Sequence, residues 1–420
     1  MNARVRTTWR AAPWLALAAL LVAPPLVSAW LSPAGVPQGW LLACLAQAAT
    51  MIVFALSYNL LLGETGLLSF GHAAPAGLGA LAAAQVFNHA ALPLPLPLPL
   101  LPFVGGVAGA GVGVLMALIA SRRAGTAFAM ITLGIGELVA AAAWALPDWF
   151  GGEAGVAIDR ASGPAIAGWT FGPQREAYCL IALWCLVASA AIHMVSRTPY
   201  ARLANAVRDN PVRAAALGAS PARVRAVMIV LGSAFAGVAG TLALINVELA
   251  AAESVGMTRS AGVLIATVTG GTASFFGPVL GALVWVGFSV GVASVSRAWM
   301  LYVGLFFIVV VLAAPGGLAG LAASQRAALA RHGWRRCRAY WATAALAAAC
   351  GTFALVLAVQ WAYALRFGDD DASAWLAALS PRASGALAAA IVVLSLVAVG
   401  LARHARRAAA ALHDARKARP

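Results

Sequence analysis

Three observations predict that this sequence forms an all-α protein, a polytopic bundle of transmembrane helices. Hydrophobic residues make up 62% of the chain and charged residues 10%, too little charge to cover the surface of a soluble protein of 420 residues. Mean hydropathy is +0.88, and apolar runs of about 20 residues recur, the length that crosses a hydrocarbon core of roughly 30 Å. The sequence has no alternating strand pattern, so we expect helices, which satisfy their own backbone hydrogen bonds in lipid.

The apolar runs divide into about ten core spans, some of them broken or re-entrant, and two further spans near the C-terminus. The predicted spans are 11–30, 41–62, 68–88, 103–120, 126–146, 177–196, 224–246, a broken segment at 258–270, 277–296, 299–314, 340–366 and 384–402. The first run follows three arginines and also has the pattern of a cleaved signal peptide. We favour an uncleaved helix, because the run is long enough to cross the membrane.

Glycine interrupts the apolar pattern at two places, 63–66 and 270–272. The sequences around them, 65–71 and 271–277, resemble each other, and both lead into helices of small residues. Paired glycine-interrupted segments in the two halves of a transporter indicate an internal repeat with the transport path at its interface. The alternative is that glycine and serine only allow neighbouring helices to pack closely.

Small residues at every fourth position predict close helix packing in the bundle. They occur at Gly105, Gly109 and Gly113, and at Gly232, Ala236 and Gly240. The alternation of leucine and proline at 92–102 predicts an extended connection, since proline does not sustain a helix interior. The longest predicted external loop is 147–176.

Basic residues are clustered rather than spread along the chain. Net charge is +15, and most of the 28 lysine and arginine residues lie at 4–10, 122–123, 197–225, 326–338 and 403–419. Acidic residues lie mainly in the segments between these clusters. The pattern is that of the positive-inside rule, so we expect both termini in the cytoplasm and no nucleic-acid partner.

Nothing in the sequence indicates a catalytic centre. The five cysteines do not have metal-ligand spacing, and the loops carry no pairing of a nucleophile with a base. A phosphate-binding loop of the G-x-x-x-x-G-K-[ST] type is absent, since the only lysine is Lys417. We therefore expect a protein that is not an enzyme and that has no metal or cofactor.

The segment 198–221 is too polar to span a membrane and is bracketed by Pro199 and Pro221. It predicts a helical piece at 202–208, a break at 209–211 and a second helical piece at 212–217. Asp209 or Asn210 is suited to cap the second piece, Pro211 to begin it and Gly218 to end it. We expect a short rigid helix that transmits force from a soluble partner; the alternative is a solvated basic loop.

This segment also carries a family resemblance, since 206–218, AVRDNPVRAAALG, resembles the cytoplasmic coupling loop of ABC importer permeases. The version is that of branched-chain amino acid permeases of the LivM type. Further blocks follow in the order of that family: YNLLLG at 58–63, TGLLSFGHAA at 65–74, FAMITL at 128–133, FAGVAG at 235–240, FGPVLGA at 276–282 and APGGL at 314–318. Together these blocks cover roughly 10–322.

The chain departs from the family pattern at several positions. Pro75 and Ala76 replace an aromatic pair, Pro211 stands where an acidic residue is common, and the loop at 151–152 lacks a following Gly-Ile-Pro. We divide the chain into a permease domain at 1–322 and an extension at 323–420. The extension consists of a basic linker, two predicted transmembrane helices and a basic tail.

The resemblance implies a function and a set of partners. Such a permease lies in the bacterial inner membrane and pairs with a second, related permease, so that a heterodimer is expected. Two cytoplasmic ATPase subunits dock on the coupling loops, and a periplasmic binding protein delivers the amino acid. By the same resemblance, the residues that couple to the ATPase are Arg202, Arg208, Asp209, Asn210, Arg213 and Gly218.

Polar residues within apolar segments are candidates for the translocation path, because charge and polarity are unfavourable in lipid. They are Thr65, Ser69, His72, Glu137 and Ser274. Glu137 is expected to face the bundle interior or a wet cavity, in the path or in a buried hydrogen bond. His72 is suited to a buried structural role or to substrate contact. Thr65 and Ser69, if they lie at a helix start, present N–H groups to a substrate carboxylate.

The sequence leaves other functions open. One is an ABC permease for urea, amides or sugars, and another is an ion-coupled secondary transporter with Glu137 as the proton carrier. A membrane-embedded enzyme has the least support, for want of any catalytic grouping.

Overall fold

The computed structural model describes residues 3–32, 37–88, 96–152, 154–166, 168–367, 389–401 and 403–404. Its helices are α1 (Ala3–Leu31), α2 (Gly39–Thr65), α3 (Ala73–Asn88), α4 (Leu101–Ala120), α5 (Gly125–Ala145), α6 (Pro147–Phe150), α7 (Gln174–Ser196), α8 (Pro199–Asp209), α9 (Pro211–Ala216), α10 (Pro221–Val247), α11 (Met257–Gly270), α12 (Gly277–Val286), α13 (Trp299–Ala313), α14 (Gly317–His332), α15 (Trp334–Phe367) and α16 (Ala389–Leu401). Two short strands, β1 (Val156–Ala157) and β2 (Leu249–Ala250), pair antiparallel. The predicted all-α polytopic bundle is confirmed.

Among the described residues, seven helices are long and apolar enough to cross a membrane, or eight if the bent pair α13 and α14 forms one span. The helices found for the spans predicted at 68–88 and 277–296 are shorter than expected, whereas α11 matches the segment predicted at 258–270. Residues 66–72 are not helical, so that α3 begins only at Ala73. α12 ends at Val286 and continues into a π-helical turn, 287–292. The extended connection predicted at 92–102 is wrong from Leu98 onward, where a 3-10 turn leads into α4.

The core of the bundle is built around α2 and α10. α10 packs against α2, α3, α4 and α7, and α2 also packs against α7, α11 and α12. Large side chains of α2, such as Tyr58, Ile52 and Leu56, are fully buried. The close packing predicted for the small residues of α4 and α10 is present, and the two helices pack on each other: a Cβ added to Gly105 would lie 2.8 Å from the carbonyl oxygen of Gly237. A larger side chain at either position would therefore separate the two helices.

The loop between α5 and α7 is fixed to the end of α10. β1 pairs with β2 at Val156 and Ala250. The Nε atom of Arg160 lies 2.7 Å from a carboxylate oxygen of Glu248, and its Nη1 donates to the Ile245 carbonyl at 3.1 Å. The two connections, 147–173 and 248–256, therefore lie at the same end of the bundle.

The chain forms two compact units. The first comprises residues 1–290 and 303–320, and the second comprises residues 291–302 and 321–420. Within the second unit, the indole Nε1 of Trp341 donates to Gln325 at 2.7 Å, and the amide of Gln360 donates to Ser296 at 2.9 Å. The predicted span at 384–402 corresponds to α16, and the acidic run at 369–371 lies outside the described residues.

Candidate coupling segment and buried polar cluster

Two short helices, α8 and α9, connect the long helices α7 and α10, and both begin with a capped turn. The hydroxyl of Thr198 accepts a hydrogen bond from the Ala201 amide at 3.3 Å, and the side-chain oxygen of Asn210 accepts one from the Arg213 amide at 2.9 Å. Gly218 ends the segment with a φ of 88°, a left-handed conformation that favours glycine. The two-helix arrangement predicted for 198–221 is confirmed, with Asn210 rather than Asp209 as the cap.

The inner face of α8 is packed firmly on the bundle. Ala201, Ala204 and Val207 are buried against it. The hydroxyl of Tyr200 donates to the Arg223 carbonyl at 3.3 Å. Burial raises the pKa of the Tyr200 phenol above its ordinary value. α8 is therefore held as a rigid piece between α7 and α10.

Two polar contacts join α8 to the end of α2. The amide of Asn205 donates to the Glu64 carboxylate at 2.7 Å, and Nη1 of Arg208 donates to the Gly63 carbonyl. Arg208 also pairs through Nε with Asp209 at 3.2 Å. A Cβ added to Gly66 would lie 2.7 Å from Cγ of Arg208, so this side chain covers the glycine turn directly. The first glycine break and α8 thus form one structural site.

The outer face of α9 is apolar and exposed. Val212 is 79% exposed, and Leu217, the residue that follows α9, is 83% exposed. Arg202 on α8 and Arg213 on α9 are also exposed. Val212 and Leu217 were not among the site residues predicted from the sequence. The signal was available, since both are large apolar residues in a segment that is otherwise polar or small.

The other predicted residues divide between a buried cluster and the surface. His72 is buried, with its Nε2 atom 3.0 Å from the Ser57 hydroxyl, and its ring stacks on Phe54 with centroids 5.5 Å apart. The hydroxyl of Tyr58 donates to the Ser69 carbonyl at 2.9 Å and accepts a hydrogen bond from the Ser69 amide at 3.2 Å. This cluster holds 66–72 as an extended segment alongside α2.

Contacts from α5 and α11 complete the cluster. The Phe70 amide donates to the Thr132 hydroxyl at 3.2 Å, and the Ala73 amide donates to the Ser260 hydroxyl at 2.9 Å. The expectation that Thr65 and Ser69 lie at a helix start is wrong. Thr65 is the last residue of α2, and the Ser69 amide already has a partner in Tyr58.

Glu137 and Ser274 are exposed in this chain. The expectation that Glu137 faces the interior of the chain's own bundle is therefore wrong, because the outer face of α5 carries it. Ser274 lies in the turn between α11 and α12, where its carbonyl accepts a hydrogen bond from the Gly277 amide at 3.0 Å. The structure brings Ser69 and His72 together and leaves Thr65, Glu137 and Ser274 apart from them.

Within the described residues, no group of three or more histidine, cysteine, aspartate or glutamate side chains is placed to hold a metal ion. These residues instead form a capped pair of helices at one end of α2 and a buried polar cluster further along it.

Comparison with known proteins agrees with this architecture. The family described as the permease component of branched-chain amino acid transport systems matches residues 40–314. This chain belongs to that permease family. Its match spans α2 to α13 and includes the coupling segment and the buried cluster.

Two curated relatives are similar to this permease. Both are described as the high-affinity branched-chain amino acid transport system permease protein LivM, from Salmonella typhimurium and from Escherichia coli. Each is 28% identical over 288 residues, which cover 64% of this chain and 67% of the relative. No solved structure matches the chain significantly. With its family and its spans, the protein is a multi-pass membrane transport component.

Proposed function

We propose that this permease is the membrane-spanning subunit of an ATP-driven importer of branched-chain or related amino acids in a bacterial inner membrane. ATP hydrolysis then takes place on a separate subunit that docks on α8 and α9. One observation carries the proposal: a rigid, capped helix pair is bonded to α2 and presents Val212 and Leu217 to the outside.

The exposed side chains of α9 fit a docking surface better than a solvated loop. Two large apolar side chains that are about four-fifths exposed sit on a helix whose backbone is held by caps at fixed positions. Burial of apolar area stabilises a complex by roughly 25 cal/mol per Å². The exposed side chains of Arg202 and Arg213 add positive charge. Acidic residues at the edge of the partner's docking surface would complement this charge.

The charge distribution supports a cytoplasmic position for this segment. It lies in the basic cluster at 197–225, and the positive-inside rule assigns such clusters to the cytoplasm. The connections at 147–173 and 248–256 then lie on the periplasmic side. There they are available to a binding protein that delivers the amino acid.

A second permease fits the outer face of α5. Exposed residues recur on that face at alternating spacings of three and four: Ala127, Met130, Gly134, Glu137, Ala141 and Trp144. Glu137 is near the middle of this 21-residue helix, where contact of a carboxylate with acyl chains is strongly unfavourable. Gly134 has no neighbouring atom within 4 Å of an added Cβ, which leaves room for a close helix partner.

The docking of an ATPase is tested by substitution of Leu217. In proteoliposomes that contain the whole transporter, Leu217→Asp is expected to lower both copurification of the ATPase subunit and ATP-driven leucine uptake at least ten-fold. A buried carboxylate would then replace an apolar contact. Leu217→Met, which keeps the apolar volume, is the matched control and should retain both activities.

Other outcomes contradict the proposal. Undiminished association and uptake with Leu217→Asp would remove the docking role of α9. Leucine uptake that continues without any ATPase and stops when the proton gradient collapses would establish a secondary transporter instead.

A further inference from the structure

Arg259 is a charged residue of the bundle that the proposed coupling role does not use. It lies in the first turn of α11, and its Cζ atom is 5.7 Å from the centroid of the Phe54 ring. Within the described part of the chain, no carboxylate lies within ion-pair distance of Arg259 and no carbonyl accepts a hydrogen bond from it. Among the described residues, the contact of its charged group is with the face of an aromatic ring.

The position of Arg259 is inside the membrane-spanning part of the bundle. Phe54 precedes Thr65, the end of α2, by eleven residues, which corresponds to about 17 Å along the helix axis. A guanidinium at such a depth is unfavourable unless it faces water, a partner or a ligand, and charged residues there mark transport paths.

Arg259 lines a cavity of about 490 Å³. The other lining residues are Met51, Glu253, Gly256, Thr258, Gly262 and Trp285. The indole of Trp285 lies over Gly262, because a Cβ added there would approach its Cζ2 atom to 2.6 Å. A volume of this size lies in the range of sites for small molecules, which combine apolar walls with a few convergent polar groups.

The polar groups of the cavity have opposite charges at separate positions. The guanidinium of Arg259 matches a carboxylate with two parallel hydrogen bonds, and the carboxylate of Glu253 accepts hydrogen bonds from an ammonium group. Glu253 is exposed, in the short 3-10 turn before α11, on the side that the proposed topology assigns to the periplasm. Met51 and Trp285 are the large apolar side chains of the lining.

We propose that this cavity binds an α-amino acid zwitterion during transport, with the carboxylate on Arg259, the ammonium group on Glu253 and the side chain against Met51 and Trp285. The proposal rests on the proposed transport function and assigns its substrate-binding residues within the permease. Through Phe54, whose ring also stacks on His72, the site adjoins the buried polar cluster of the first glycine break.

The test uses the complete transporter in proteoliposomes, with leucine uptake and binding-protein-stimulated ATP hydrolysis measured in parallel. Arg259→Gln is expected to lower ATP-driven leucine uptake at least ten-fold while stimulated ATP hydrolysis stays within two-fold of the unsubstituted complex. Glu253→Gln is expected to produce a smaller loss of uptake. Arg123→Gln changes an exposed arginine in the turn after α4 and should leave both measurements unchanged.

Leucine uptake by Arg259→Gln at the unsubstituted rate and half-saturating concentration would overturn the proposal. This failure differs from failure of the proposed function, in which the unsubstituted complex itself would show no ATP-driven leucine uptake.

A second measurement does not depend on whether the variant assembles. Photo-activatable leucine, a diazirine analogue, should label the unsubstituted permease on peptides that contain Met51 or Trp285 during turnover. An excess of leucine should prevent the labelling, whereas leucinamide, which lacks the carboxylate, should not. Labelling confined to other helices, or equal protection by leucinamide, would overturn the proposal.

Discussion

At the scale of single residues, Arg208 makes specific contacts that its place in a basic segment did not predict. It donates to the Gly63 carbonyl, pairs with Asp209 and covers Gly66, so one side chain ties α8 to the end of α2. Asn205 reinforces the same joint through Glu64. We expect these contacts to transmit a movement of α8 to α2, the helix that crosses the membrane.

Substitution of Arg208 should therefore separate docking from coupling. Arg208→Gln removes a charge-assisted hydrogen bond, which contributes about 1 kcal/mol at this half-exposed site. ATPase binding should persist, because Val212 and Leu217 are intact, while leucine transported per ATP hydrolysed falls several-fold. Arg223→Gln is the control, since its backbone carbonyl still accepts from Tyr200. Equal transport per ATP in both variants would contradict a coupling role for the joint.

Local patterns predicted the two helices of 198–221 well, whereas features that depend on contacts distant in sequence were not predicted. Asn210, Pro211 and Gly218 determine their own turns through contacts a few residues away, so spacing alone was sufficient. The environment of Glu137 depends on which face of α5 the bundle covers, which the sequence of one helix does not fix. Arg259, like Glu137, is a charged residue in an apolar segment, but it was not among the residues predicted from the sequence.

At the scale of elements, the contrast between α5 and α4 gives a matched test of the second permease. Gly134 on α5 and Gly111 on α4 are both exposed helical glycines with no atom within 4 Å of an added Cβ. Neither substitution to leucine should disturb the fold of this chain. Only Gly134→Leu should obstruct a partner on the α5 face.

We expect Gly134→Leu to lower copurification of the second permease at least five-fold, and Gly111→Leu to leave it unchanged. The measurement is the ratio of the two permeases after affinity purification in detergent. Similar ratios for the two variants would place the partner on another face.

Hydropathy predicted most helices and failed where apolar residues are not helical. Leu67, Leu68 and Phe70 extend the apolar run before α3, yet this segment is not helical. The Tyr58 hydroxyl donates to the Ser69 carbonyl, and the Thr132 hydroxyl accepts from the Phe70 amide. The break between α11 and α12 was predicted from the glycines at 270–271. In the structure Gly271 has a φ of 103°. At both breaks, glycine residues therefore predicted the interruption of the helix better than the apolar run did.

At the scale of the whole molecule, the family match ends at residue 314, close to the first compact unit's last residue, Gly320. The division of the chain at 322 remains a prediction from the sequence. We propose that the transport core is contained in the N-terminal part and that 323–420 is an accessory segment.

Truncation after Leu321 tests this division. The shortened permease should still assemble with its partners and transport leucine within about two-fold of the full chain, because the coupling segment and the Arg259 cavity lie before the cut. The measurement is uptake per assembled complex. Loss of uptake in a complex that assembles normally would show that the extension takes part in transport.

The position of Tyr58 has a mechanical consequence. Counted back from the joint at Gly63, α2 presents Tyr58 to the extended segment, Phe54 to Arg259 and Met51 to the cavity, within a single unbroken helix. A continuous helix is stiff over such a distance, so a tilt imposed at the Gly63 end of α2 also moves the cavity wall. We therefore expect α2 to transmit a movement of α8 to the cavity, where it widens or narrows the space beside the guanidinium of Arg259.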